Sequence, residues 1–229
     1  MQRRAFTKLA LTGMIGMFGL SRSSRAETIE AAKPINQPRK AKRLDADGCV
    51  GVIIDVQESF LSKLDSYHRS KILWGTRDFA HLLTLFKIPI VATLEIPIDK
   101  NGALPPEIEE ELKVESAIFE KAFFDLGEEK RITEHFARLK KRQVIIVGCE
   151  TDVCVMQSCL GLLSLGYEVY LVENLLFGSS LDMAAAVTRM KGEGATFISY
   201  KSLFYELARS VEIEDSLEKY GPIQKDLTR

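Results

Sequence analysis

Three residues able to open a bond through a covalent intermediate fall at the ends of apolar runs: Asp55 closing "CVGVIID", Lys121 after "SAIFE", and Cys154 within "VGCETDVCVMQSC". A carboxylate can take a thiol proton and later return it to a leaving amine. The sulfur attacks a carbonyl carbon to give a thioester, and water opens that in a second half-reaction. A lysine ammonium holds the carboxylate and steadies developing charge, and backbone N–H groups near Glu150 and Cys154 supply an oxyanion hole. Cys154 lies at the start of an expected helix, where unpaired N–H groups and the macrodipole favour an anion, so a thiolate is expected beside the lysine. The chemistry these residues predict is hydrolysis of an amide-type C–N bond.

The elements that must position them alternate in type. The continuous apolar run at 49–55 reads as a strand buried on both faces, and 88–95, 143–148, 168–173 and 195–200 read as further strands. Between them, 69–87, 128–141, 152–165, 180–192 and 202–212 carry apolar residues at helical spacing, with a short acidic helix at 105–113. The short stretch 116–120 leads directly to Lys121. Alternation of this kind predicts an α/β fold, a three-layer α-β-α arrangement around a mostly parallel, doubly wound, Rossmann-like sheet of about six strands. Ligands of such sheets bind at the carboxyl ends of the strands. An acid, a lysine and a cysteine are thereby expected on one edge.

The ends of the chain differ from its middle. Residues 1–26, "MQRRAFTKLALTGMIGMFGLSRSSRA", run from a basic start through an apolar segment to small residues, the order of a signal peptide. The apolar segment is about a dozen residues, short of the roughly 20 that cross a bilayer, so no permanent membrane anchor is expected. Arg3 and Arg4, followed by Phe6 and Lys8, resemble a twin-arginine export signal, which predicts a periplasmic protein. Residues 27–47 are polar, with two prolines, and read as a linker or arm; the hydrolase domain is expected over 48–229. Lys plus Arg number 31 against 32 Asp plus Glu, a balance that gives no basis for a nucleic-acid partner. Four cysteines in 229 residues do not make a disulfide scaffold.

"VIIDVQESF", "FEKAFF" and "VIIVGCETDVCVMQSCLGLLSLGYEVYLVENLLFGSS" resemble the isochorismatase-like cysteine hydrolase superfamily, from about residue 49 to 210. The resemblance implies a catalytic triad of Asp55, Lys121 and Cys154, and a cis peptide joining Cys149 to Glu150 that turns the Glu150 N–H into the oxyanion hole. It also implies a small-molecule substrate with a C–N bond other than a peptide bond, and a homo-oligomer, dimer or larger. Nicotinamidases of this superfamily carry an Asp-x-His-type metal motif after the second strand. The corresponding "EIPIDKNGALPPE" has no histidine, and His68, His81 and His135 are scattered, so no metal and no cofactor is expected. "DVQESF" also lacks the Gly-x-Gly-x-x-Gly spacing of a dinucleotide site.

Taken singly, each residue has a structural alternative: Asp55 as a helix cap, Lys121 as a solvated charge, Cys154 as a small buried hydrophobe. A catalytically inactive binding or scaffold protein on the same fold is the competing reading. Thr151 or Asp152 is expected to cap the helix that follows. Cys159, about 140° round that helix from Cys154, is expected to point away from the site. Gln57, Phe60, Glu95, Phe123, Phe124 and Phe177 are the expected pocket positions, with Glu95 meeting either substrate or solvent.

Overall fold

Cys49–Ile54 (β1), Ile90–Glu95 (β2) and Gln143–Gly148 (β4) are rich in Val and Ile, and all but the last residue of β2 are buried. Such runs, with no polar side, are stable only with both faces covered. In the computed structural model they are the middle of a six-stranded sheet completed by Ala117–Lys121 (β3), Glu168–Leu176 (β5) and Thr196–Ile198 (β6). The order is β3-β2-β1-β4-β5-β6, and every pair is parallel. The structure describes residues 43–113, 115–179 and 183–217. The expected export signal and most of the expected arm lie outside them.

Alternating strand residues feed two cores. Cys49, Ile53, Ile90 and Ala92 pack against Ser66–Leu85 (the long helix αA) and Tyr200–Ala208 (αE) through Phe79, Leu83, Leu203 and Phe204. Val50, Val52, Ile54 and Val144 face Lys130–Leu139 (αB), Met156–Ser164 (αC) and Ala184–Gly192 (αD) through Ile132, Phe136, Cys159 and Met190. Two helical layers enclosing one parallel sheet is the doubly wound α/β arrangement, and the strand order is that of the Rossmann fold. The reversal of strand order between β1 and β4 opens a crevice at their carboxyl ends.

Close approach at that crevice depends on one glycine. A Cβ on Gly148, whose φ is +120°, would lie 2.0 Å from the Ile54 carbonyl oxygen, so only glycine lets β4 end hard against β1. At the opposite end of the sheet, residues 43–47 depart from the arm expected there. Leu44 is fully buried in the αA-side core, and Asp45 N–H donates to Gln143 Oε1 at 2.8 Å. The Leu44 N–H also donates to Glu206 Oε2 at 3.1 Å and Gln143 Nε2 donates to the Arg43 carbonyl oxygen at 2.9 Å, so burial and hydrogen bonds together dock this polar segment. Among the described residues no helix is long and apolar enough to cross a membrane.

Candidate active site

Asp55, Glu95 and Lys121 mark the ends of β1, β2 and β3, and Cys154 follows β4. Asp55 adopts a left-handed backbone (φ 50°), which an aspartate tolerates better than most residues, and it turns the chain off β1. Its side chain is fully buried, with Thr93 Oγ1 donating to Oδ1 at 2.8 Å and Lys121 Nζ 2.7 Å from Oδ2. Lys121, also buried, donates to the Phe123 carbonyl oxygen at 3.1 Å and to Cys154 Sγ at 3.5 Å. One ammonium thus bridges the carboxylate and the sulfur. Oδ2 receives no aligned hydrogen bond among the described residues despite the nearby ammonium, which leaves it open to accept a proton.

The helix that carries Cys154 begins unusually. Glu150 is the cap residue, with extended backbone, and Thr151–Val155 form a π-helical turn before αC starts. The cap expected from Thr151 or Asp152 is not made. Thr151 instead spends both its N–H and its hydroxyl on the Phe177 carbonyl oxygen, each at 2.9 Å, tying the turn to the end of β5. A cis peptide joins Cys149 to Glu150, and the Glu150 N–H donates no hydrogen bond among the described residues. Cys149 Sγ donates to the Asp55 carbonyl oxygen at 3.0 Å, while Cys159 is buried in the αB–αD core. All four cysteines are free thiols.

Electrostatics correct the expectation of a resting thiolate. Burial, and then the Asp55 charge, push the Cys154 thiol far up; Lys121 pulls the other way and is outweighed, and hydrogen bonding to Asp55 and Glu95 adds to the rise. Cys154 therefore rests as a thiol, and the helix terminus does not decide its state. Burial also lifts the Asp55 carboxyl above its ordinary value, against the pull of Lys121 and of its hydrogen bonds. The rise makes Asp55 a better acceptor for the thiol proton. Burial opposes the Lys121 ammonium as well, but Asp55 and Cys154 together hold its pKa up.

The remaining expected positions separate. Glu95 is brought to the sulfur: its Oε2 lies 3.2 Å from Cys154 Sγ. Gln57 is not a pocket contact. It is fully buried, accepts the Glu95 N–H at 2.8 Å, and donates to the carbonyl oxygens of Glu95 (3.2 Å) and Gly102 (2.6 Å). Phe123 and Phe124 present exposed rings, and their carbonyl oxygens accept from Lys121 and Ser158. Phe60 packs on the αA-side core beneath the Lys63 ammonium, which pairs with Glu150 at 3.0 Å. Phe177 lines a separate cavity of about 250 Å³ with Leu64, Ile72 and Met183. Aromatic residues near strand ends gave no signal in sequence for which of these surroundings they would meet.

Asp55, Glu95 and Cys154 offer three atoms within 4.8 Å of one another that suit a metal ion. The Lys121 ammonium, 2.7 Å from Asp55 and 3.5 Å from the sulfur, already supplies positive charge there and would repel a cation. His68 and His81 are paired with Asp65 and Glu111 on and beside αA, and His135 packs on Phe119. The donor set thus fits a lysine-centred site better than a metal.

A doubly wound parallel sheet with a thiol, a carboxylate and an ammonium at its switch point defines the isochorismatase-like cysteine hydrolase superfamily. The chain belongs to the isochorismatase family, whose domain model matches residues 49–202. A secreted isochorismatase effector of Phytophthora sojae is 28% identical over 176 residues, covering 74% of this chain and 81% of that protein. Among solved structures, YcaC from Pseudomonas aeruginosa with hexane-2,5-diol and covalent acrylamide is 22% identical with a TM-score of 0.67, covering 79% of this chain and 98% of that one. The YcaC gene product of Escherichia coli, described as an octameric hydrolase of unknown specificity, is 19% identical with a TM-score of 0.67, covering 79% and 97%. At such identities the structural likeness speaks for the fold alone.

Proposed function

We propose that this protein is an exported cysteine hydrolase that cleaves an amide-type C–N bond of a small molecule, the Cys154 sulfur being the nucleophile. The observation that carries the reading is the buried ammonium of Lys121 between Asp55 Oδ2 (2.7 Å) and Cys154 Sγ (3.5 Å). Sγ forms a bond to the carbonyl carbon as its proton passes to Asp55, and the oxyanion is held by the N–H groups of Glu150 and Cys154. The C–N bond breaks as Asp55 returns that proton to the leaving nitrogen. Water adds to the thioester, losing a proton to Asp55, and the sulfur leaves and is reprotonated. Lys121 keeps the carboxylate in place through both halves.

The test is ammonia release from a panel of small amides, ureas and imides by the purified protein, before and after alkylation with iodoacetamide. Release by the untreated protein that alkylation abolishes is the expected result. Release that survives complete alkylation of Cys154 overturns the reading.

Export and assembly are part of the same proposal. The twin-arginine resemblance at Arg3 and Arg4 is the ground for export to the periplasm, and the Phytophthora relative is a secreted protein of the same family. Changing both arginines to lysine is expected to leave the protein in the cytoplasm, measured by fractionation and immunoblot; undiminished periplasmic protein refutes the route. A homo-oligomer, dimer or larger, is supported by the exposed side chains of Ile96, Ile118, Phe123 and Phe124 near the site and by the octameric YcaC.

A further inference from the structure

Glu95 is a second carboxylate on the nucleophile, and the triad chemistry does not use it. Its Oε2 lies 3.2 Å from Cys154 Sγ, on the end of β2, where it pairs in register with Lys121 of β3. The backbone beneath it is held with unusual completeness. Gln57 accepts its N–H and donates to its carbonyl oxygen, and Asn101 Nδ2 donates to the same oxygen at 3.1 Å. A fully buried glutamine that bonds both the N–H and the carbonyl oxygen of Glu95, and ties them to the Gly102 carbonyl oxygen at 2.6 Å, fixes where the Glu95 side chain projects. Gln57 is therefore a positioning residue for Glu95.

The charges around the sulfur do not cancel. Lys121 balances Asp55 at 2.7 Å, and Lys63 balances Glu150 at 3.0 Å. Glu95 has no cationic partner among the described residues, and the thiol proton is the single hydrogen bond its carboxylate receives. When that proton leaves for Asp55 and substrate displaces water, a half-buried anion faces the reacting group in a medium that screens poorly. Chemistry that restores balance is a positive charge, or strongly acidic N–H donors, within one or two bonds of the carbon under attack. A carboxylate in that place meets like-charge repulsion instead.

We infer that Glu95 is a specificity residue that selects cationic substrates, C–N compounds carrying an amidinium, guanidinium or ammonium group next to the reacting carbon, over anionic ones. The inference rests on the cysteine hydrolase reading and names the substrate class of that same site.

Charge selection can be read on the sulfur without turnover. The purified protein is treated with 2-aminoethyl methanethiosulfonate, a cation, and 2-sulfonatoethyl methanethiosulfonate, an anion. In each case Sγ forms a disulfide bond to the reagent's thioalkyl sulfur, methanesulfinate departs with the electron pair of the broken S–S bond, and the thiol proton goes to solvent through Asp55. Intact mass gives the rate, and a Cys154→Ser control assigns the site. The ratio of cationic to anionic rates is expected to fall about tenfold in Glu95→Gln, equal to about 1.4 kcal/mol. Using the ratio removes any general change in thiol reactivity on losing Glu95. An unchanged ratio overturns the inference.

A second measurement needs no variant. Acetamidinium is expected to protect wild-type Cys154 from iodoacetamide at concentrations where acetate, at equal ionic strength, does not; equal protection by both overturns the inference. A protein that shows the charge ratio but hydrolyses no amide keeps this inference and loses the hydrolase reading.

Discussion

Cys154→Ser is expected to lower C–N bond turnover by at least about 10³-fold while the protein remains folded, because it removes the sulfur that forms the covalent intermediate. The exchange is close to isosteric, and the site can satisfy the new hydroxyl: Glu95 Oε2 and Lys121 Nζ already flank the sulfur. A buried hydroxyl that finds such partners avoids the cost of about 1–3 kcal/mol that an unpaired one incurs. The loss should thus appear in kcat, with a thermal unfolding midpoint within a few degrees of wild type. Ammonia release and a circular dichroism melt on the same preparation separate the two effects. Turnover within tenfold of wild type would remove Cys154 from the reaction.

The second large effect concerns Lys121 and Asp55, whose side chains are both fully excluded from solvent. Replacing one partner leaves the other charge buried and alone, which costs about 3–5 kcal/mol. Lys121→Met and Asp55→Asn are each expected to lose stability on that scale and to lose activity. The double variant carries neither charge. It should recover most of the stability in urea unfolding and none of the activity, since the proton acceptor is still missing. Single variants within about 0.5 kcal/mol of wild type would show that the pair is less buried and less coupled than its 2.7 Å separation indicates.

Much of this site was legible before any fold was seen. A parallel sheet needs helical crossovers and places its ligand at the carboxyl ends of its strands. The residues that end the strands could therefore be read off the chain: Asp55, Glu95, Lys121 and the turn holding Cys154. Residues 143–148 are a strand with the bounds expected, its apolar run Val144–Val147 set between a polar Gln143 and Gly148, a position that only glycine can fill. Where packing decides, the reading was weaker. The helix expected over 105–113 is one turn at Pro106–Glu109, because Ile108 alone is buried there. The segment expected as one helix over 152–165 begins as a π turn pinned to Phe177 by Thr151, a partner 26 residues away.

The sequence by itself determined the sheet, its two covered faces and which residues stand at its carboxyl edge, because apolar periodicity and chain order are local properties. Tertiary structure alone decided their electrostatic state. Whether Cys154 is a thiolate or a thiol depends on the sum of burial, Asp55, Lys121 and Glu95, carried on three strands and a helical turn. Whether Gln57 meets substrate or holds Glu95 depends on where β1 and β2 end relative to one another. Charge and hydrogen bonding act through space over a few ångströms, and distances of that size between residues far apart in the chain exist only once the sheet has closed.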